Sequence, residues 1–231
     1  MLNYTYLLIN ILSVLIPIIF SFDKRLNIHK NLRAAFLAIT IVAIPFIAWD
    51  IFFTKIGIWG FTDKYLTGIK VFNLPIEEVL FFICTPYTCI FTYEVVKYFF
   101  KKQINEKISQ GISTTLIAIS FLAMVFNIGK FYSSWTFSLV AASLFFLRKN
   151  FNLGKFYLSC LFIFPGFFIV NGLLTGIAFQ EPVVWYNDTE NLGIRFFSIP
   201  YDDFFYGFLL LVWNIYLYEF INSYLLKKSS K

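Results

Sequence analysis

A chain of 231 residues that is 59% hydrophobic, 22% aromatic and only 14% charged cannot hide its apolar surface in a soluble core of that length, so its solvent is the lipid bilayer. The formal charge of +6 marks no nucleic-acid face, because the Lys and Arg residues stand between apolar runs, where they are topology signals. One histidine (His29), three cysteines without a C-x-x-C pair (Cys84, Cys89, Cys160) and the lack of any Gly-rich phosphate loop argue against a histidine-built metal site, a Ser-His-Asp triad, a disulfide framework and a nucleotide cradle.

Seven apolar stretches reach or approach the roughly 20 residues that a spanning helix needs. The first, 2–22, has no basic residue before it and reads as a retained helix rather than a cleaved signal. The second is 34–53, and the third, 75–96, opens on "FNLPIEEVLFF". Then come 111–128, a short fifth stretch at 133–147, and 156–177. The over-long seventh, 200–226, opens on "FSIPYDDFFYG". Prolines 17, 45, 86 and 165 fall inside spans, where bilayer helices tolerate them as kinks. Fourteen Lys and Arg residues lie in the connections on one side and five on the other. That bias places the C-terminus in the cytoplasm and the N-terminus outside, in a multi-pass protein of the cell (inner) membrane.

Gly68, Pro75, Glu77, Glu78, Tyr93 and Glu94 each return 125 residues later as Gly193, Pro200, Asp202, Asp203, Tyr218 and Glu219. "WDIFFT" (49–54) answers "VNGLLT" (170–175), and Trp59 answers Trp185. The expectation is an all-α polytopic protein built from two parallel three-helix repeats, 1–100 and 132–231, joined by a linker at 101–131 that carries the fourth helix. Both acidic pairs then share one depth near the outer interface and face a common cavity.

Proline followed by two acids is an ordinary helix start, since the acids complement the macrodipole. Here the motif is duplicated, sits at membrane depth and is set among Phe81, Phe82, Phe204, Phe205 and Tyr206. Ionisable groups there cost about 2.5–3.5 kcal/mol on insertion scales and mark function. Desolvation and mutual repulsion both raise a pKa, so one acid of a pair can be held neutral. Neighbouring positions point about 100° apart, so one acid faces the cavity while the other caps backbone N–H groups or orients its neighbour. A neutral acid in an aromatic-walled pocket can protonate an isolated carbon–carbon double bond. The ring faces then stabilise the cation, and a carboxylate removes a different proton. No redox cofactor is needed.

"WDIFFTKIGIWGF" with "GIKVFNLPIEEVLFF", and "NGLLTGIAFQEPVVWYND" with "NLGIRFFSIPYDDFFYG", resemble the lycopene cyclase domain family, the membrane-integral, flavin-independent carotenoid cyclases. The resemblance covers roughly 1–100 and 130–226. It implies lycopene as a lipophilic polyene substrate, cyclisation of its ψ-ends to γ- and then β-carotene, no cofactor or metal, and carotenoid-pathway enzymes as partners. It maps the family motif onto Pro75, Glu77, Glu78, Pro200, Asp202 and Asp203. The second motif departs from the family by opening on Asp202 rather than Glu, which points to Glu77 or Glu78 as the proton donor.

Trp59, Phe61, Trp185 and Tyr186 read either as interfacial anchors or as the lining of a substrate mouth; Trp59, Phe81, Phe82, Trp185, Phe204 and Tyr206 are the candidate substrate contacts. Asp50 and Asn171 fit a polar contact to the repeat partner, and Glu94 and Glu219 fit interfacial ion pairs. Arg195 stands close enough in sequence to pair with Asp202 or Asp203. Two other functions share these features. In a carotenoid hydratase water would capture the same cation, and a proton-coupled carrier would use acids between repeats. A membrane prenyltransferase fits less well, since "NDTEN" (187–191) is a single weak match to an aspartate cluster.

Overall fold

The computed structural model describes residues 2–229. Among them the chain forms seven α-helices: α1 (Thr5–Ser21), α2 (Leu32–Lys55), α3 (Ile76–Phe99), α4 (Glu106–Phe126), α5 (Phe131–Asn150), α6 (Leu153–Leu174) and α7 (Tyr201–Ser229). A bilayer offers no partner for a bare peptide group, so the apolar runs satisfy their N–H and C=O groups internally as helices. All of these but α5 are long and apolar enough to cross a membrane. α5 is 20 residues long, and its Ser133, Ser134, Thr136, Ser138 and Ser143 lower its hydropathy. The predicted second span lengthens to 32–55, and the fourth shifts to 106–126 because Asn105 caps it by accepting from the Lys107 N–H at 2.9 Å.

The chain divides into two compact units. Among the described residues the first holds 2–56, 61–101 and 210–229. In it α1 and α3 are joined by polar bonds spaced along their length. Tyr6 donates to Glu78 at 2.6 Å, Asn10 to the Glu77 carbonyl at 2.7 Å and Thr88 to the Ser13 carbonyl at 3.0 Å, and the Ser21 and Tyr87 hydroxyls meet at 2.7 Å. Lipid tails are as apolar as leucine, so such bonds and close packing hold helices together where the hydrophobic effect cannot. Ser21 also bonds the Pro17 carbonyl at 2.7 Å, one turn after the proline that removes an N–H from the α1 ladder.

The second unit holds Gly57–Gly60 and Lys102–Leu209. Its helices α4 and α6 are tied by the Ser113 and Tyr157 hydroxyls at 2.8 Å, and α5 meets α7 through Phe137 and Phe205, with ring centroids 4.7 Å apart. Strand β1 (Trp59–Phe61) pairs with β4 (Val184–Tyr186), and the Asn187 N–H bonds the Ile58 carbonyl at 2.8 Å.

Each acidic motif is preceded by a small antiparallel hairpin. β2 (Lys70–Val71) pairs with β3 (Leu74–Pro75), and β5 (Arg195–Phe196) pairs with β6 (Ile199–Pro200), both around two-residue loops. The first loop residues, Phe72 and Phe197, hold φ of 56° and 54°, the positive φ that such short loops demand. Pro75 is the N-cap of α3, one position earlier than a first-turn proline, and its extended backbone turns the hairpin into the helix.

Two glycines separate packing from propensity. A side chain on Gly60 would run into the Trp185 indole, whereas Gly111, in the first turns of α4, has open space around it. Thermal unfolding of the purified protein in detergent should therefore move in opposite directions. Gly60→Ala is expected to cost about 1–3 kcal/mol as an overpacking change, and Gly111→Ala to gain up to about 1 kcal/mol of helix propensity.

Candidate active site

All four motif carboxylates are buried: Glu77 and Asp202 completely, Glu78 and Asp203 to within 7% and 4% exposure. Within each pair the two acids have different jobs, and the division repeats.

The first acid latches the chain. In the first unit Glu77 Oε1 accepts the Thr67 N–H at 2.7 Å, reaching back ten residues across the hairpin, and the Ile76 N–H bonds the Ile69 carbonyl at 2.9 Å. In the second unit Asp202 Oδ2 accepts the Leu192 N–H at 3.0 Å, and the Tyr201 N–H bonds the Ile194 carbonyl at 3.0 Å. Every one of these positions is related by the same 125-residue offset. Gly68 and Gly193, which follow the two latched amides, hold φ of 85° and 71°, a turn that a β-carbon would strain.

The shorter Asp202 is completed by Ser133, whose hydroxyl donates to Oδ1 at 2.5 Å. Tyr132 matches Tyr6 at an offset of 126, so the place of Ser133 is taken by Leu7 in the first unit. There Glu77 Oε2 is buried without a hydrogen-bond partner among the described residues.

The second acid receives a tyrosine. Glu78 Oε2 accepts the Tyr6 hydroxyl at 2.6 Å, and Asp203 Oδ1 accepts the Tyr132 hydroxyl at 2.6 Å. Asp203 Oδ2 also takes Asn171 Nδ2 at 2.8 Å and the Tyr186 hydroxyl at 2.9 Å. Hydrogen bonds of these lengths hold the plane of the carboxyl group in place.

Around Asp203 stands an aromatic quartet. The Trp59 ring lies 5.0 Å from Tyr132, 6.2 Å from Tyr186 and 6.1 Å from Tyr206, mostly edge to face, and Tyr132 and Tyr186 stack at 6.1 Å. In the first unit Phe81 packs on Phe82 at 5.7 Å, and Phe82 lies 6.1 Å from Phe46, which meets Trp49 at 5.8 Å.

These placements correct several sequence expectations. Trp59 is 3% exposed, so it is no interfacial anchor, and it belongs to the second unit rather than to the half in which its position places it. Its counterpart Trp185 is 41% exposed and lies over Gly60. Phe204 packs with Phe164, Phe167 and Phe196. Asn171 bonds an acid of its own unit, Asp203, instead of a repeat partner, while Asp50 is buried. Glu94 and Glu219 do form ion pairs, sharing the Lys97 ammonium at 2.8 and 2.6 Å. Arg195 pairs with neither Asp202 nor Asp203. Its strand points it to Asp188 at 2.6 Å and to the Ser198 carbonyl at 2.7 Å.

Sequence reasoning missed Tyr6, Tyr132, Ser133 and the role of Asn171. A signal was present, because Tyr6 and Tyr132 extend the repeat upstream. It was hidden by the one-residue change of offset.

The two units thus present buried, tyrosine-bonded carboxylates at helix starts of a polytopic, all-α membrane protein. The chain belongs to the lycopene cyclase family, whose model matches residues 3–96 and 129–221, the two stretches related by the repeat. Among curated proteins it is similar to bifunctional lycopene cyclase/phytoene synthases of three fungi. The match to that of Leptosphaeria maculans is 32% identical over 72 residues, covering 31% of this chain and 12% of the relative. For Aspergillus niger the figures are 33% over 66 residues, 26% and 11%, and for Arthroderma gypseum 32% over 82 residues, 35% and 13%. The chain thus matches only about an eighth of the length of these relatives. No solved structure matches it significantly.

The Asp188–Arg195 pair gives the loop before the second motif a pH dependence. Burial raises the Asp188 carboxyl, but hydrogen bonds from Arg195 and Asn191 and the Arg195 charge outweigh it and leave the group below its ordinary value. A depressed folded pKa stabilises above the unfolded value of about 3.9 and loses that contribution as pH falls through the folded value. Protection factors of residues 188–198, corrected for the intrinsic pH dependence of amide exchange, should therefore stay constant from pH 7 to 5 and fall below about pH 4; in Asp188→Asn the acid step should vanish.

Proposed function

We propose that this chain is a lycopene β-cyclase that works by acid–base chemistry without a redox cofactor, and that Glu78 and Asp203 are the groups that handle the proton. The observation that carries the division is the repeated pairing: the second acid of each motif meets a tyrosine hydroxyl at 2.6 Å, while the first holds a backbone N–H ten residues upstream.

A carboxylic acid at position 78 or 203 delivers its proton to the terminal double bond of a lycopene ψ-end. The tertiary cation that results is attacked by the next suitably placed double bond, closing a six-membered ring and moving the charge onto a ring carbon. A carboxylate removes a proton from the neighbouring ring carbon and leaves the β-ring double bond. One proton enters and one leaves, so the product is an isomer and no electrons are exchanged.

The aromatic faces of Trp59, Tyr132, Tyr186 and Tyr206 supply negative electrostatic potential for the cation. The tyrosine bond orients the acid and supports its conjugate base once the proton has gone. Glu77 and Asp202 act earlier, by holding hairpin and helix in register. Each unit would serve one substrate end, giving γ- and then β-carotene.

The protein lies in the cell membrane with its N-terminus outside and its C-terminus in the cytoplasm, as the charge bias of its connections supports. The relatives named for both lycopene cyclase and phytoene synthase support work alongside other carotenoid-forming enzymes.

Expression in lycopene-producing bacteria tests this reading. The wild-type chain should turn red cells orange-yellow, with γ- and β-carotene resolved by chromatography. Glu78→Gln together with Asp203→Asn should lower ring formation by at least about a hundredfold at equal inserted protein. Tyr6→Phe and Tyr132→Phe should slow it less, and Glu77→Gln should chiefly reduce the amount of folded protein. Red cells containing inserted wild-type chain would reject the cyclase. Full activity in the double variant would remove these acids from the mechanism, and a hydroxylated, uncyclised product would identify a hydratase.

A further inference from the structure

The first unit contains a cavity remote in sequence from its acidic motif. It has a volume of about 630 Å³ and lies between the start of α2 and the end of α7. Lys30, Arg33 and Lys228 line it, and no carboxylate is in its lining or paired with these three among the described residues. Three unneutralised cations around one concavity repel one another and concentrate anions. Behind them the wall turns apolar, with Ala34, Leu37 and Leu225. The first turn of α2 adds to the field, since it has no acidic residue and its N-cap, Asn31, makes no capping bond.

A second basic depression makes the contrast. In the second unit a cavity of about 390 Å³ is lined by Arg148 and Lys149 but also by Glu106 and by the side-chain amides of Gln103, Gln110 and Asn152. Its cations have their own counter-charge in Glu106, whereas the α2–α7 cavity, although Asn31 and Asn222 also line it, has no carboxylate among its described lining residues. The α2–α7 cavity offers cations above and hydrocarbon below, the profile of an amphiphile with an anionic head.

We propose that the α2–α7 cavity is a binding site for an anionic phospholipid, with Lys30, Arg33 and Lys228 on the headgroup phosphate and one acyl chain along Leu37 and Leu225. Clusters of this kind at the basic ends of spanning helices select anionic lipids over zwitterionic ones. The site is independent of the chemistry at Glu78 and Asp203.

Native mass spectrometry of the full-length protein, exchanged into mixed micelles with equal phosphatidylglycerol and phosphatidylcholine, tests it. One phosphatidylglycerol should be retained in preference to phosphatidylcholine. The triple variant Lys30→Gln, Arg33→Gln, Lys228→Gln should retain it at least about tenfold less. A control with the same charge change outside the cavity, Lys24→Gln, Lys101→Gln, Lys107→Gln, should retain it as the wild type does. Millimolar inorganic phosphate should not displace it. Equal retention of the two lipids, equal loss in both triple variants, undiminished retention in the cavity variant, or displacement by phosphate would each overturn the proposal. The readout does not involve ring formation, so it stands or falls apart from the cyclase.

Discussion

A carboxyl group taken into a dry, apolar setting must be met by hydrogen bonds or lose more free energy than a marginally stable fold can supply. That constraint governs this protein twice. At each motif two acids enter the helix start together, and the surrounding sequence provides for them separately: a backbone N–H for the first and a tyrosine hydroxyl for the second. The hairpins, the positive-φ glycines and the packing of α1 on α3 follow from putting those donors within reach. A buried network of this kind is rigid where its groups are paired, because a paired group that moves loses its bond.

Duplication has let the two sites diverge within that constraint. In the second unit Asp203 gathers three donors, and the loss of a methylene at Asp202 is met by Ser133. In the first, Leu7 stands where the serine would be, and the longer Glu77 keeps one oxygen without a partner among the described residues. Trp59 shows a further departure, since it completes the aromatic wall of the second unit although the sequence of the first repeat contributes it. Under the proposed function two unequal sites can treat the two ends of one polyene differently.

The helices and the acidic motifs were legible in the sequence for a physical reason: the bilayer forces long apolar runs, and an acid within one stands out. The 125-residue echo of Gly68, Pro75, Glu77 and Glu78 was legible too, because no gap interrupts it. What could not be read was direction. Nothing local says that Arg195 turns to Asp188, that Asn171 reaches Asp203, or that Trp59 leaves its own repeat, since each is decided by tertiary packing between segments distant in sequence. Tyr6 and Tyr132 fell between the two cases, carrying the repeat at a shifted offset and resembling ordinary interfacial aromatics. The serine-rich composition of α5 hid its length for the same reason, as polar side chains that pack inward lower the apolar signal of the whole helix.

The central claim is that ring closure starts with a proton from a buried carboxylic acid, and an isotope measures it most directly. The purified enzyme, equilibrated in D₂O and held in excess over unlabelled lycopene, should return a cyclic product carrying one deuterium for each ring closed, as read by mass spectrometry. A cyclic product with no deuterium would contradict the account, because the closing step would then have taken no proton from an exchangeable acid.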